Sequence, residues 1–370
     1  MTVQDLDTPA LIVDLDVMER NLRRVADYCA RHRLRLRPHT KTHKSPLLGR
    51  RQLDLGAAGL TVAKVGEAEV MLGAAPRDLL VAFPVIGEPK LRRLAGVARQ
   101  TQVTVALDSM IAARQLSEAA VKAGVRFGVL VEVDAGLGRV GVTPAEATGL
   151  ARAVAALPHL DWRGIAFYPG HITYRNDRDR NDRDCNDDEK FAQLSRFIAE
   201  LRDNLERAGL APEIVSGGST PLLFRSHEIE GLNEIRPGTY IFNDINTAVT
   251  GACALEDCAA SILVTVVSRT GSERMIVDGG SKTFSSDRLV TGEAGFGRLV
   301  DAPGAMFHKM NEEHGYVDLS RAQRLFEIGE KTRIVPNHIC VAVNLHECVY
   351  GIRGETVEQV WKVEGRGKLQ

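Results

Sequence analysis

The sequence predicts an α/β chain, a (β/α)8 TIM-like barrel followed by a C-terminal β-domain. Three observations carry this reading. Between residues 34 and 236 short β-type runs alternate with helical patterns, the signature of a parallel sheet with helices packed outside it. Those runs number eight, as a closed barrel of this kind requires. Beyond about residue 240 the helical rhythm stops and β-rich segments follow.

Taken in order, residues 1–15 contain TPALIVDL, a strand-like stretch ahead of the barrel that is expected to join the β-domain. VMERNLRRVADYCARH follows with helical spacing, Val17, Leu22, Val25 and Ala26 facing the barrel and Arg23, Arg24 and Arg31 facing water. The barrel, residues 16–240, takes its strands from residues 34–38, 59–63, 79–83, 103–107, 127–133, 162–167, 213–217 and 232–236. After the sixth of these comes RNDRDRNDRD, residues 175–184, a repeated pentad with both charge signs and no apolar position. It cannot bury itself, and it reads either as a lid over the functional end or as a solvated loop. The β-domain, residues 241–370, holds ASILVTVVS, RMIVDGG, TRIVPNHICVAVN and CVYGIRGETVEQVWKVE, all read as β-runs.

Composition narrows the partners. At 370 residues the chain exceeds what one hydrophobic core usually spans, which suits two domains. A net charge of -1 offers no field for nucleic acid or an anionic membrane. The N-terminus lacks a basic start leading into an apolar run, and no apolar stretch approaches the ~18 residues of a membrane span, so a cytoplasmic location is expected. Six cysteines without CxxC pairs suit free thiols in a reducing compartment; Cys253 and Cys258 suggest a metal clip, but the buried structural reading is favoured.

Three local patterns carry chemistry. RPHTKTHKS, residues 37–45, sits at the end of the first barrel strand, where barrel active sites are built. Either Lys41 or Lys44 can act as an amine nucleophile when cationic neighbours such as Arg37, His39 and His43 lower its pKa. A solvated basic turn competes with that reading. SGGSTP (residues 216–221) and RPGTY (residues 236–240) are glycine-rich turns after the seventh and eighth strands, a recurrent place for phosphate in this fold. In PNHIC, residues 336–340, His338 and Cys340 are two apart, so on a strand they leave the same face as a metal pair would. His346 and Cys348 offer the same spacing, and packing residues remain the plainer reading of both pairs.

Many motifs in one order point further. DTPALIVDLD, RPHTKTHK, VEVDAGLGRVGV, the GGSTP and RPGTYIFND turns, DGGSK, NEEHGYVD and PNHICVAVNLHE run nearly end to end, and the chain thereby resembles the D-threonine aldolase and D-serine dehydratase family, related to the alanine-racemase-like fold-type III pyridoxal-phosphate enzymes. The resemblance implies that Lys41, not Lys44, is the Schiff-base residue. It implies a phosphate cradle of Gly218, Ser219, Thr220, Gly238 and Tyr240, with Arg139 and Tyr168 near the cofactor ring. It further implies His338 and Cys340 as ligands of a divalent metal (Zn, Mn or Mg), His314 close to them, and a homodimer.

The expected activity is a lyase reaction on a β-hydroxy D-amino acid. A dehydratase would yield a 2-oxo acid and ammonia; an aldolase would yield glycine and an aldehyde. Three details lean toward dehydration: aldolases of the family tend to carry HxD where this chain has His338 and Cys340, their turn is richer in glycine than GGSTP, and His171, the candidate second acid/base in FYPGHI, is displaced from the aldolase base position. An amino-acid racemase would need a further acid/base opposite Lys41, and the sequence offers no clear candidate. A non-catalytic cofactor carrier is typically a single barrel, which the extra β-domain argues against.

Overall fold

A computed structural model describes residues 1–172, 187–271 and 273–370. The chain divides into two compact units, one of Met1–Arg23 with Thr239–Arg366, the other of Arg24–Gly238 with Gly367–Gln370. It opens with β1 (Ala10–Asp14) and α1 (Leu15–Arg31). The barrel strands follow as β2 (Arg35–Leu36), β3 (Leu60–Val62), β4 (Asp78–Val81), β5 (Gln102–Leu107), β6 (Phe127–Glu132), β7 (Leu160–Ala166), β8 (Ile214–Gly217) and β9 (Glu234–Ile235). Each lies inside or across one of the eight segments read from the sequence.

These strands pair in parallel in the order β2-β9-β8-β7-β6-β5-β4-β3. The two end strands meet as well: Ala58 N–H donates to Leu36 O at 2.8 Å, Thr61 N–H to Pro38 O at 2.9 Å, and Thr40 N–H to Thr61 O at 2.8 Å. The ring is therefore closed, and its functional end is the one where the strand C-termini emerge. Helices α2 (Pro46–Asp54), α3 (Val65–Met71), α4 (Glu88–Ala98), α5 (Met110–Ala123), α6 (Pro144–Ala155) and α7 (Asp187–Arg207) make the crossovers. Local chemistry starts and stops them. Ser109 caps α5 by accepting from Ala112 N, Gly124 ends it at φ 65°, and Thr143 with Glu146 forms a capping box ahead of Pro144 on α6.

The barrel interior is partly apolar, with Leu80, Ala106, Leu130, Ala166 and Ile214 in one cluster, and partly ionic. Arg37 bonds Asp78 at 3.0 Å and Glu234 at 2.9 Å, and Arg163 on β7 reaches Asp78 on β4 at 3.2 Å. A bond between strands that are not neighbours has to cross the inside of the ring. Removing one partner of such a buried network costs about 3–5 kcal/mol, because the other charge is left without compensation.

In the other unit α8 (Ile245–Val249) leads to β10 (Ala260–Thr270), β11 (Arg274–Val277), α9 (Ser281–Phe284), β12 (Gly297–Leu299), β13 (Met306–Met310), β14 (Gly315–Asp318), β15 (Lys331–Pro336), α10 (Ile339–Leu345), β16 (Cys348–Arg353) and β17 (Thr356–Lys362). The sheet runs β13-β14-β11-β10-β1-β16-β17, with β15 joining β10 and β12. The N-terminal strand β1 pairs antiparallel with β10 and parallel with β16. Its residues Ala10 and Ile12 pack with Val3, Leu6, Leu263 and Ile352.

Three details depart from the sequence reading. In α1 Val17 and Ala26 are only half-buried, while Met18, Tyr28 and Cys29 are buried alongside Leu22 and Val25, so the apolar stripe is rotated and takes in the larger side chains. The run TRIVPNHICVAVN is not one strand: β15 stops at Pro336 and Ile339–Leu345 is helical. Proline has no N–H for the ladder and ends the pairing there, despite the β-branched residues that follow. The RNDRD repeat lies outside the described residues. No helix among the described residues is long and apolar enough to cross a membrane.

Candidate active site

The loop after β2 separates the two candidate lysines. Lys44 is buried and bonds Glu67 at 3.2 Å, while the other oxygen of Glu67 accepts from Ala63 N at 2.8 Å. Lys41 is half-buried and makes no ion pair among the described residues. Its expected neighbours divide too. Arg37 points into the barrel toward Asp78 and Glu234, and His43 shares its Nε2 proton with Gln52 at 3.2 Å, so neither is the cationic neighbour the sequence suggested. His39 remains: its Nδ1 accepts from Lys41 N at 3.3 Å. Burial first, then the charges of Lys41 and Arg236, hold the His39 pKa well below its usual range.

Positive charge gathers around this loop. Arg139 and Arg236 both contribute to the depression of His39, and they oppose the upward pull that burial exerts on Glu132. Arg236 is anchored by donating to Ser216 Oγ at 2.6 Å and to Phe167 O at 3.0 Å. Arg139 stacks over the Tyr168 ring, 4.6 Å from its centroid. Lys41, Arg139 and Arg236 bring three positive charges here against the buried carboxylates Glu132 and Glu234, of which Glu234 is also paired with Arg37, and the balance favours an anion.

Glycine turns complete the barrel side. Gly218, at the end of β8, adopts φ 85°, a conformation that favours glycine. Next to it Ser219 Oγ is buried with no hydrogen-bond partner among the described residues, and Thr220 is buried as well. A buried hydroxyl without a partner is uncommon and points to a group that would complete it. Gly238, after β9, packs so tightly on the lysine loop that a Cβ there would lie 2.9 Å from His39 O and 3.0 Å from Thr42 Oγ1. Tyr240 is buried in the short helix Thr239–Ile241. A phosphorylated aldehyde fits these residues: Lys41 supplies an amine, and Ser219 with the glycine N–H groups supplies donors for the phosphate.

His338 and Cys340 come together by a different route from the one expected. His338 is the N-cap residue of α10 and Cys340 lies in its first turn, with the two side chains in hydrogen-bond contact. The ring is oriented from behind, since His338 Nδ1 lies 3.0 Å from Asp244 Oδ2. Burial opposes charging of the ring, but Cys340 and Asp244 outweigh it and push the His338 pKa up to about 11. The pair favours positive charge, whether a proton or a metal cation that displaces it. No three His, Cys, Asp and Glu side chains among the described residues form a metal-holding group. A metal on His338 and Cys340 would keep positions for water or substrate, as catalytic sites do.

His346, His314, the Cys253 and Cys258 pair and His171 remain. His346 Nε2 bonds the backbone oxygen of Thr283 at 3.2 Å, which occupies that nitrogen. His314 is exposed in the turn between β13 and β14. Cys253 and Cys258 are half-buried rather than fully buried, and no disulfide joins the described cysteines. His171 is exposed and lies against Gly136, in the loop whose Asp134 accepts from the N–H groups of Gly136 and Gly138.

Residues 13–245 match the model of the alanine racemase N-terminal domain, and residues 259–352 match a putative serine dehydratase domain. The chain belongs to the alanine racemase N-terminal domain family. Within that family it is 32% identical to the D-threonine aldolase of Arthrobacter sp, over 98% of this chain and 93% of that protein. It is 30% identical to the D-threo-3-hydroxyaspartate dehydratase of Delftia sp. strain HT23, over 98% of both. The crystal structure of a D-threonine aldolase from Filomicrobium marinum superposes with a TM-score of 0.89 at 34% identity, covering 99% of this chain and 97% of that one. These family members are named as lyases. Solved variants of a D-threo-3-hydroxyaspartate dehydratase replace a histidine and a cysteine two positions apart, and the cysteine variant is in the metal-free form.

Sequence reasoning missed Glu67, Arg236, Glu132 and Asp244. The signal for Asp244 was present in Asp-Ile-Asn-Thr, a residue of N-cap type opening a short helix, but that pattern says nothing of a histidine far along the chain.

Proposed function

We propose that this protein is a pyridoxal-phosphate-dependent, divalent-metal-assisted lyase acting on β-hydroxy D-amino acids, working as a dehydratase that yields a 2-oxo acid and ammonia. The observation that carries the proposal is the contact between His338 and Cys340 with the imidazole backed by Asp244. Lys41, Arg139 and the Gly218–Ser219 turn support the cofactor half of it.

Pyridoxal phosphate, when bound, withdraws electrons from the substrate Cα. A divalent metal, when bound, acts as a Lewis acid toward the β-hydroxyl. Lys41 Nζ would hold the cofactor through its amine and, once released by the substrate amine, would take the proton from Cα. Ser219 Oγ and the N–H groups of Gly218 and Gly238 hold the phosphate. Arg139, stacked on Tyr168, flanks the ring. The chain acts as a homodimer in this reading.

A second reading, the retro-aldol cleavage, is favoured by the relatives named aldolases, whose 32% and 34% identities exceed the 30% of the dehydratase. Incubating the protein, loaded with cofactor and metal, with D-threonine separates the two. Formation of 2-oxobutanoate and ammonia supports dehydration; formation of glycine and acetaldehyde replaces it with the aldolase reading.

A further inference from the structure

We infer that Asp244 is the positioning residue of the candidate metal centre, holding the His338 ring in the tautomer that presents Nε2 to a cation. This rests on the metal reading proposed above. Asp244 is 1% exposed, and both of its oxygens are used. Oδ1 accepts from Thr247 N at 2.7 Å and from Thr247 Oγ1 at 2.6 Å, which caps α8. Oδ2 accepts from Ile339 N, the first residue of α10, at 3.0 Å, and faces His338 Nδ1 at 3.0 Å.

The second oxygen is what sets this residue apart from an ordinary helix cap. Ile339 N–H can only donate, so it fixes Oδ2 as an acceptor, and an acceptor facing Nδ1 requires the imidazole proton to sit on Nδ1. A cation that displaces the ring's other proton then meets the lone pair of Nε2, the state a metal ligand needs. His338 makes no capping bond to its own helix, so its Nδ1 is left to Asp244. The same stretch of chain reaches the other member of the pair, since Thr239 Oγ1 lies 3.8 Å from Cys340 Sγ. Residues 239–244 thus flank both proposed ligands.

The test is calorimetric titration of the full chain with Mn2+. Asp244→Ser is the informative variant: serine caps a helix about as well as aspartate but is too short to reach His338. Thr247→Val is the control, disturbing the cap of α8 while leaving Oδ2 and the ring untouched. His338→Ala marks the site. Mn2+ affinity is expected to fall roughly 10–100-fold in Asp244→Ser, to vanish in His338→Ala and to stay at the wild-type value in Thr247→Val. Wild-type affinity in Asp244→Ser together with loss in His338→Ala overturns the inference alone. An equal fall in Thr247→Val reduces Asp244 to a helix cap and also overturns it. Wild-type affinity in His338→Ala overturns the metal reading, and the inference with it.

Discussion

Lys44 Nζ lies 3.2 Å from Glu67 Oε1, with both side chains buried, whereas Lys41, three residues earlier in the same loop, makes no ion pair among the described residues. The pairing gives the two lysines opposite roles. Lys44→Met leaves Glu67 buried without its partner and is expected to lower unfolding stability by roughly 3–5 kcal/mol while the cofactor still attaches. Lys41→Ala is expected to change stability little and to abolish covalent attachment. Borohydride reduction followed by peptide mass mapping, with urea denaturation alongside, reads both effects.

Ser219 Oγ is buried without a partner, and that makes its removal diagnostic. Ser219→Ala costs the free protein no hydrogen bond. If the hydroxyl donates to a phosphate, the variant is expected to bind pyridoxal phosphate more weakly by about 1.5–3 kcal/mol, roughly 10- to 100-fold, with its melting temperature nearly unchanged. Equilibrium dialysis against the cofactor measures the first quantity and thermal denaturation of the free protein the second.

His43 predicts an acid-sensitive fold. Burial pushes its pKa down from 6.5 to about 4, partly offset by its bonds to Gln52 and Ser45. As pH falls below 6.5 the unfolded chain takes up a proton that the folded chain refuses until about pH 4, so stability is lost across that window. The loss amounts to about 3 kcal/mol at the acid end. His43→Asn removes this titration, and its stability, followed by urea denaturation from pH 7 to 4, is expected to fall less steeply than that of the wild type.

The fold was legible because its signals are local. Strands such as GLTVA and FGVLVEV are apolar, β-rich and bounded by turn residues, and their number constrains the architecture. The lysine loop and glycine turns were legible for the same reason. What escaped was the partnering of buried charge: nothing near Lys44 in the sequence announces Glu67, and Asp244 meets His338 across 94 positions. The helix α10 escaped because ICVAVNL carries strand-like valines, and tertiary context overrode their propensity. Residues two apart inside a helix face away from each other, but His338 is the N-cap and keeps extended dihedrals, φ -135° and ψ 113°, which lets it meet Cys340.

Metal-assisted cleavage of a β-hydroxy D-amino acid is put to the test by following the consumption of D-threonine and L-threonine by the cofactor-loaded protein before and after chelation. Only the D-enantiomer is expected to be broken down, with chelation stopping the reaction and added divalent metal restoring it. Inversion at Cα without bond cleavage, unaffected by chelation, would contradict it.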